Sequence, residues 1–256
     1  MVSFTGSTAV GKHLMAQAAS TVKKVSLELG GNAPFIVLAD ADLDNAVAEV
    51  VRSKFRNMGQ ACVAANRIFV HDSIYDAFAQ RLVEAAKSLR IGDGAEEGVE
   101  QGPLVNEAAI AKVEAHIRVA LERGATVLCG GERHGRTGSF FLPTVLSEVG
   151  IGTLFDEEET FGPVAPLYRF SDVDEVVALS NDSRYGLAAY VFGRDIQKVW
   201  RVAEALEVGV VGINAGVVGS EVAPLGGRKE SGVGREGSRY GIEEFLETKY
   251  VCLAGM

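Results

Sequence analysis

Apolar residues recur along this chain with two spacings that take turns. Short apolar or alternating runs at residues 2–4, 25–29, 34–38, 67–71, 126–129, 141–146, 165–170, 187–192 and 210–214 read as strands. Between them, apolar residues three or four apart predict helices at 9–19, 40–55, 73–89, 107–123, 173–180 and 196–206. The helix over 40–55 carries Leu43, Val47, Val50 and Phe55 on one face, with Asp40 or Asp42 as its N-cap and Gly59 beyond its end. Ile110, Val113, Ile117 and Leu121 mark another, which Gly124 stops. Residues 92–102 form a Gly- and Glu-rich loop, the chain from 215 to 241 is glycine-studded, and 245–253 is a β-rich close. Alternating strands and helices predict an α/β fold built on a mainly parallel sheet. The first strand has no strand before it, and a parallel strand needs its backbone groups and both faces covered. The expectation is that this chain is a portion of a larger fold.

Composition narrows the function classes. The net charge is −9 with no long Lys/Arg run, which speaks against nucleic acid or an anionic membrane as the main partner. No apolar run reaches the ~18 residues of a membrane span, and the first residues lack the pattern of a signal peptide. Three cysteines without a pairing pattern fit a reducing compartment. A cytoplasmic protein of one large or two ordinary domains is expected.

Among those cysteines, Cys129 and Cys252 sit in apolar runs that read as strands. Cys62 instead closes the stretch Asn57-Met58-Gly59-Gln60-Ala61-Cys62, among small and polar neighbours where a thiol stays accessible. A free thiol has a pKa of roughly 8.5 and needs help from its surroundings to act as a nucleophile. Glu28, before Gly30-Gly31, is a candidate general base, because a carboxylate among apolar residues has a raised pKa; a salt-bridged or exposed strand-end glutamate is the alternative. Gly6-Ser7-Thr8-Ala9-Val10-Gly11-Lys12-His13 nearly matches a phosphate-binding loop, but His13 stands where a Mg²⁺-holding Ser or Thr belongs, which argues against nucleotide hydrolysis. A helix N-terminus offered to a phosphate-bearing ligand and a plain turn both remain open. His13, His71, His116 and His134 show no ligand spacing, so they read as surface or satisfied residues and no metal site is expected.

Phe4-Thr5-Gly6-Ser7, Glu28-Leu29-Gly30-Gly31-Asn32, Asn57-x-Gly59-Gln60-x-Cys62 and Glu159-x-Phe161-Gly162-Pro163 stand in the order and spacing of the aldehyde dehydrogenase superfamily. The resemblance continues through Asn214 and Pro224-x-Gly226-Gly227 to the end of the chain. Lys54-Phe55-Arg56-Asn57, Ala65-Asn66-Arg67 and Gly234-Arg235-Glu236-Gly237-Ser238-x-Tyr240-Gly241 make it most similar to the succinate-semialdehyde dehydrogenases. The resemblance implies a parallel α/β catalytic domain at 32–230, a remnant of a Rossmann-like dinucleotide-binding domain at 1–31, and a return segment with a C-terminal oligomerisation arm at 231–256.

It also implies roles. Cys62 is the nucleophile that forms a thiohemiacetal and then a thioester, and its backbone N–H is half of an oxyanion hole. Glu28 activates the deacylating water. NAD or NADP is the cofactor: Gly6 and Ser7 contact the dinucleotide, Leu29 lies near the nicotinamide, Glu159 holds the ribose hydroxyls and Phe161 packs beside the ring. Arg56 binds the distal carboxylate of the semialdehyde, where a guanidinium fork suits the anion, and Ser220 offers a hydroxyl nearby. Succinate semialdehyde is the expected substrate, glutarate semialdehyde the near alternative, and a homo-oligomer the expected state of the parent enzyme.

Two departures from the family pattern matter. The long portion that precedes Phe4-Thr5-Gly6-Ser7 in the family is missing, and with it most of the cofactor sheet, the second oxyanion donor and a second substrate arginine. A chain without dehydrogenase activity by itself is therefore the rival expectation. Ala64 replaces a second cysteine found in several close relatives, so their redox-sensitive disulfide cannot form here.

Overall fold

The computed structural model describes residues 1–255. Its elements run β1 (Val2–Thr5), α1 (Thr8–Ala19), β2 (Val25–Glu28), β3 (Ala33–Val37), α2 (Leu43–Val50), β4 (Ala65–His71), α3 (Tyr75–Ser88), α4 (Glu107–Glu122), β5 (Thr126–Cys129) and β6 (Thr144–Ser147). There follow α5 (Leu154–Glu157), β7 (Val164–Phe170), α6 (Val173–Asn181), β8 (Tyr185–Gly186), β9 (Ala188–Phe192), α7 (Ile196–Ala205), β10 (Val210–Ile213), β11 (Arg228–Lys229) and β12 (Gly232–Val233). No helix among the described residues is long and apolar enough to cross a membrane.

Seven strands form the central sheet in the order β10-β9-β3-β4-β7-β6-β5, parallel except for β5, which runs antiparallel to β6. Its strands are apolar on both faces because helices cover both. Phe35 and Val37 point to the side held by α2 and α3, where Val47, Val50, Phe78 and Leu82 complete one core. Ile36 and Leu38 point to the other, where Ile110, Val113 and Ile117 of α4 and Val199 and Val202 of α7 complete the second. A parallel α/β architecture was the expectation, and it is what forms.

A smaller sheet joins the two ends of the chain. β1 pairs in parallel with β2, from Val2 opposite Val25 to Thr5 opposite Glu28, and β12 adds antiparallel to the other edge of β2, with Gly232 opposite Glu28. The first strand thus finds its partner later in the sequence, while its outer edge takes no strand among the described residues.

Two segments differ from the expectation. The helix over 40–55 is a regular α-helix only to Val50, capped by Asp42, whose Oδ1 accepts from the Asn45 N–H at 3.2 Å. A wide π turn, Val51–Phe55, follows, and then Asn57, Met58 and Gly59 adopt left-handed backbone at φ 52°, 60° and 72°. The reversal turns the chain back towards β4 and delivers Cys62 to the N-terminal end of that central strand; such turns gather at functional sites. The close of the chain is not a strand. A single 3-10 turn at Gly241–Phe245 ends the regular structure, and residues 246–255 join no sheet; Lys24 holds the Leu246 carbonyl and Glu247, and beyond them Tyr250, Val251, Cys252 and Leu253 are exposed. High β propensity reports fitness for a half-buried pleated surface, and within this chain no sheet edge receives the segment.

One buried polar cluster ties the layers together. Arg67, 2 % exposed, donates to the carbonyls of Asn32, Leu179 and Ser180 at 3.1, 2.8 and 2.9 Å. The Asn66 amide donates to Asn32 Oδ1 at 2.7 Å and to the carbonyls of Phe155 and Glu158, while its own oxygen accepts the Thr160 N–H. Asn32 in turn donates to the Phe155 and Asp156 carbonyls. Replacing Arg67 by methionine keeps the volume and leaves three carbonyls unpaired, so Arg67→Met is expected to destabilise by about 3 kcal/mol in denaturant unfolding. A change under about 1 kcal/mol would show that the cluster is not a structural tie.

Candidate active site

Three loops meet beside the C-terminal end of β2, and they meet through backbone. A Cβ on Gly31 would lie 2.2 Å from the Cys62 carbonyl oxygen, and one on Gly59 would lie 2.3 Å from the Gly162 carbonyl oxygen. Neither position tolerates a side chain, so the Gly30-Gly31, Gly59–Cys62 and Glu159–Gly162 segments are in van der Waals contact only because glycine occupies these places. Gly30 adds a third such approach, since its Cβ would fall 2.9 Å from Glu159 Oε2.

These contacts bring three acidic groups together, Glu28 buried and Glu159 and Cys62 half-buried. Glu28 is 4 % exposed, and neither of its carboxylate oxygens has a hydrogen-bond partner. Burial pushes its pKa up to about 7, helped by Glu236 and opposed by Arg235. The exposed, salt-bridged alternative for Glu28 is thereby excluded. Glu159 is likewise raised to about 7 by burial, against the Gly31 N–H that donates to its Oε1 at 3.1 Å and against Lys112 and Lys54. Cys62 is half-buried, and burial, then Glu159, then Glu28 push its thiol upward, opposed by the N–H groups of Cys62 and Val63. The expected lowering of the thiol pKa by its surroundings is absent: the neighbours disfavour the thiolate.

A cavity of about 280 Å³ opens from Cys62. Arg56, Arg52 and Tyr190 line it, with Val217 and Val218 opposite. Tyr190 is held in place by donating to the Val63 carbonyl at 2.6 Å. Glu49 fixes the far wall, because its Oε2 accepts the Gly216 N–H at 2.6 Å while its Oε1 accepts from Arg52 at 2.6 Å. Cys62 and Arg56 thus share one cavity. Ser220 is not on its wall; it is exposed on the loop beyond Gly219, where its hydroxyl accepts the Val222 N–H at 3.4 Å.

At the other side of the site, Gly6 and Ser7 stand exposed at the start of α1. Gly6 donates its N–H to the Glu28 carbonyl at 3.0 Å, which ties this turn to the candidate base. Ser7 caps α1 by accepting the Val10 N–H at 3.4 Å. Lys12, the lysine of the near phosphate-loop, pairs with Glu230 at 2.7 Å. Leu29 is buried, with its N–H on the Ser231 carbonyl at 2.9 Å, and Phe161 is 38 % exposed with φ 52°.

The aldehyde dehydrogenase family pattern matches residues 1–251. The chain belongs to the aldehyde dehydrogenase family. It is 59% identical over 252 residues to the succinate-semialdehyde dehydrogenase [NADP(+)] of Escherichia coli, covering 98% of this chain and 52% of that protein. It is 61% identical over 254 residues to the 3-sulfolactaldehyde dehydrogenase of Pseudomonas putida, covering 99% and 52%. The crystal structure of succinate-semialdehyde dehydrogenase from Burkholderia pseudomallei superposes with a TM-score of 0.98 at 58% identity, over 99% of this chain and 52% of that one. The chain spans about half the length of the curated relatives it matches.

Several aldehyde dehydrogenase residues here escaped the sequence reading. Lys54 is 1 % exposed and donates to the Gly162 carbonyl at 3.2 Å. It had a signal: Leu43, Val47, Val50 and Lys54 continue a single helical face, so a charged residue stood at a buried position. Asn66 and Arg67 were read only as family strings, and in the structure they are buried ties. His116, also buried, contacts Thr160 Oγ1 at 3.2 Å, and burial drives its pKa down to about 4.

Two outcomes are expected. Gly31→Ala pushes the Cys62 backbone aside and should lower turnover about 10²-fold, since displacing a reacting group by 1 Å costs on that order; a steady-state assay with full activity would refute the close approach. Alkylation of Cys62 by iodoacetamide should still accelerate beyond pH 9, because burial and two carboxylates hold the thiol above its ordinary pKa. Glu28→Gln removes one of those anions and should move the alkylation profile to lower pH. A profile that levels off below pH 8 contradicts this electrostatic picture.

Proposed function

We propose that this chain carries the chemistry of an NAD(P)-dependent dehydrogenase of short aldehydes bearing a distal anionic group, with succinate semialdehyde oxidised to succinate. The observation that carries the reading is the shared cavity: Cys62 at its base and Arg56 on its wall. A guanidinium in a confined space recognises a carboxylate in two-point fashion, and holding that end presents the aldehyde carbon to the sulfur.

In this reading the Cys62 thiol releases its proton to solvent as the sulfur adds to the aldehyde carbon, and the Cys62 backbone N–H meets the oxyanion that forms. A bound nicotinamide supplies the hydride acceptor that leaves a thioester on Cys62. Glu28, with both oxygens free and a pKa near neutrality, takes a proton from water as the water attacks the thioester, which returns the free thiol and the acid. Glu159 and Phe161 hold the nicotinamide end of the cofactor, and Gly6, Ser7 and Leu29 line its approach. Whether the 2′ position bears a phosphate, NADP or NAD, is read outside these residues.

The name of the Pseudomonas putida relative supports a second substrate of the same class, since a sulfonate also presents an anion at the far end. Glutarate semialdehyde, one methylene longer, belongs to the same class. We also propose that the parent enzyme is a homo-oligomer in which residues 247–253 add as a strand to a neighbouring copy, which the unpaired and exposed Tyr250, Val251 and Leu253 support. Ser220 enters this reading only through the resemblance.

Steady-state oxidation of succinate semialdehyde and propanal by the intact protein tests the substrate reading. Succinate semialdehyde should be preferred, and Arg56→Met should lower its kcat/KM about ten- to hundredfold, as expected for a lost charge-assisted hydrogen bond, while changing propanal little. Preference for propanal, or equal losses on both, sinks the assignment of Arg56.

A further inference from the structure

The segment that carries Glu159 is held from beneath by an unusual residue. Lys54, in the π turn Val51–Phe55, is 1 % exposed, and its Nζ donates to the Gly162 carbonyl at 3.2 Å. A lysine head carries three donors, and this single hydrogen bond is the one it makes among the described residues. A neutral donor, or a methionine of the same shape, would hold or fill this place with far less desolvation cost. A buried cation there is explained by an anion that needs it. Glu159 is the carboxylate whose charge favours the charged form of Lys54, against the burial that pulls the lysine pKa down to about 7.

We propose that Lys54 is a positioning residue for the cofactor end of the site, where its buried ammonium fixes the Glu159–Gly162 segment and keeps the Glu159 carboxylate ionised for the ribose hydroxyls. The proposal rests on the reading that Glu159 holds the nicotinamide ribose. Lys54 approaches the segment from the π turn. From α4, Lys112 pairs with Glu158 at 3.7 Å and also donates to the Glu159 carbonyl, while His116 contacts Thr160 and faces Glu158 at 3.5 Å. Gly31 donates to Glu159 from the β2 side, and Cys62 feels the Glu159 charge from the third. Of the two lysines, Lys112 is substantially exposed and screened by solvent and salt, whereas Lys54 is dry and its field is not. The Gly31 N–H, Lys112 and Lys54, in that order, offset the burial of Glu159, and of the two charges Lys54 is the one that solvent does not reach.

The test uses Lys54→Met, which removes charge and donor, and Lys54→Gln, which keeps a donor for Gly162 and removes the charge, in the intact protein. Three quantities are measured: KM for the oxidised dinucleotide as a function of pH, Cys62-dependent hydrolysis of an activated acyl ester without cofactor, and thermal stability. Both variants should raise the dinucleotide KM about tenfold at pH 7, the equivalent of about 1.4 kcal/mol. The acid limb of dinucleotide binding should move to higher pH, since Glu159 loses a neighbouring cation, and ester hydrolysis should fall by less than about threefold. Glu159→Gln is the benchmark. If it raises KM while both Lys54 variants leave KM and the acid limb in place, Lys54 has no such role. Equal losses of ester hydrolysis and dinucleotide affinity, or failure of both variants to fold, assign Lys54 to stability and overturn the proposal. An unchanged KM in Glu159→Gln removes the ribose reading itself, and the proposal with it.

Discussion

Everything in the site depends on how closely three stretches of backbone can approach one another. Gly31 lies against the Cys62 carbonyl and Gly59 against the Gly162 carbonyl, at separations that leave no room for a Cβ. A thiol, a candidate base and a candidate ribose carboxylate come from three loops far apart in sequence, two of which are also joined by the Gly31 N–H on Glu159 Oε1. The loops are registered by contact of main chain on main chain, supported from outside by Asn32, Asn66, Arg67 and Lys54. Such an arrangement is rigid because packed backbone has few alternative positions. It also explains why the wide turn and the left-handed residues at 57–59 sit immediately before Cys62: a continuous α-helix would carry the chain past Gly162 and away from β2.

Dryness is the second consequence. Loops in contact exclude water, and carboxylates without water rise in pKa; Glu28 and Glu159 both stand near 7. The cations available to the site are unevenly placed. Arg56 faces the cavity, while Lys54 and Lys112 flank Glu159, so the Glu159 end is compensated and the Glu28 end is not. Arg235 favours the Glu28 anion, but Glu236 beside it works in the opposite direction. On the proposed reading the two carboxylates differ in their partners rather than in pKa: Glu159 accepts from Gly31, while both oxygens of Glu28 are free to take a proton.

The fold was largely legible because each sheet strand is apolar and each helix keeps its 3.6-residue period, and the stretches carrying Glu28, Cys62 and Glu159 do come together in space. What escaped the sequence has physical reasons. The π turn at 51–55 inserts a residue into an otherwise unbroken helical pattern, which a period count cannot register. Residues 246–255 have strand composition without a strand, because pairing is a property of the edge that receives them. Ser220 lies two residues beyond Val218 of the cavity wall, and motif matching does not resolve which way a glycine-flanked loop turns. Lys54 was visible as a charge on a buried face, yet burial of a lysine is decided by its tertiary partners, Gly162 and Glu159, which lie more than a hundred residues away.

The raised thiol pKa of Cys62 is the feature hardest to fit to a simple activated nucleophile, and it follows from the same placement that makes Glu28 useful. Glu28 and Glu159 oppose a thiolate beside them, so at neutral pH the proton stays on sulfur while the carboxylates share the remaining charge. On the proposed reading, the sulfur therefore loses its proton as it adds to the aldehyde carbon rather than beforehand, and once bound to carbon it carries no charge for Glu159 and Glu28 to oppose. The opposition of the two carboxylates thus falls on the free thiolate alone and is absent from both covalent stages of the reading, whereas Glu28 keeps throughout the pKa of about 7 that burial gives it.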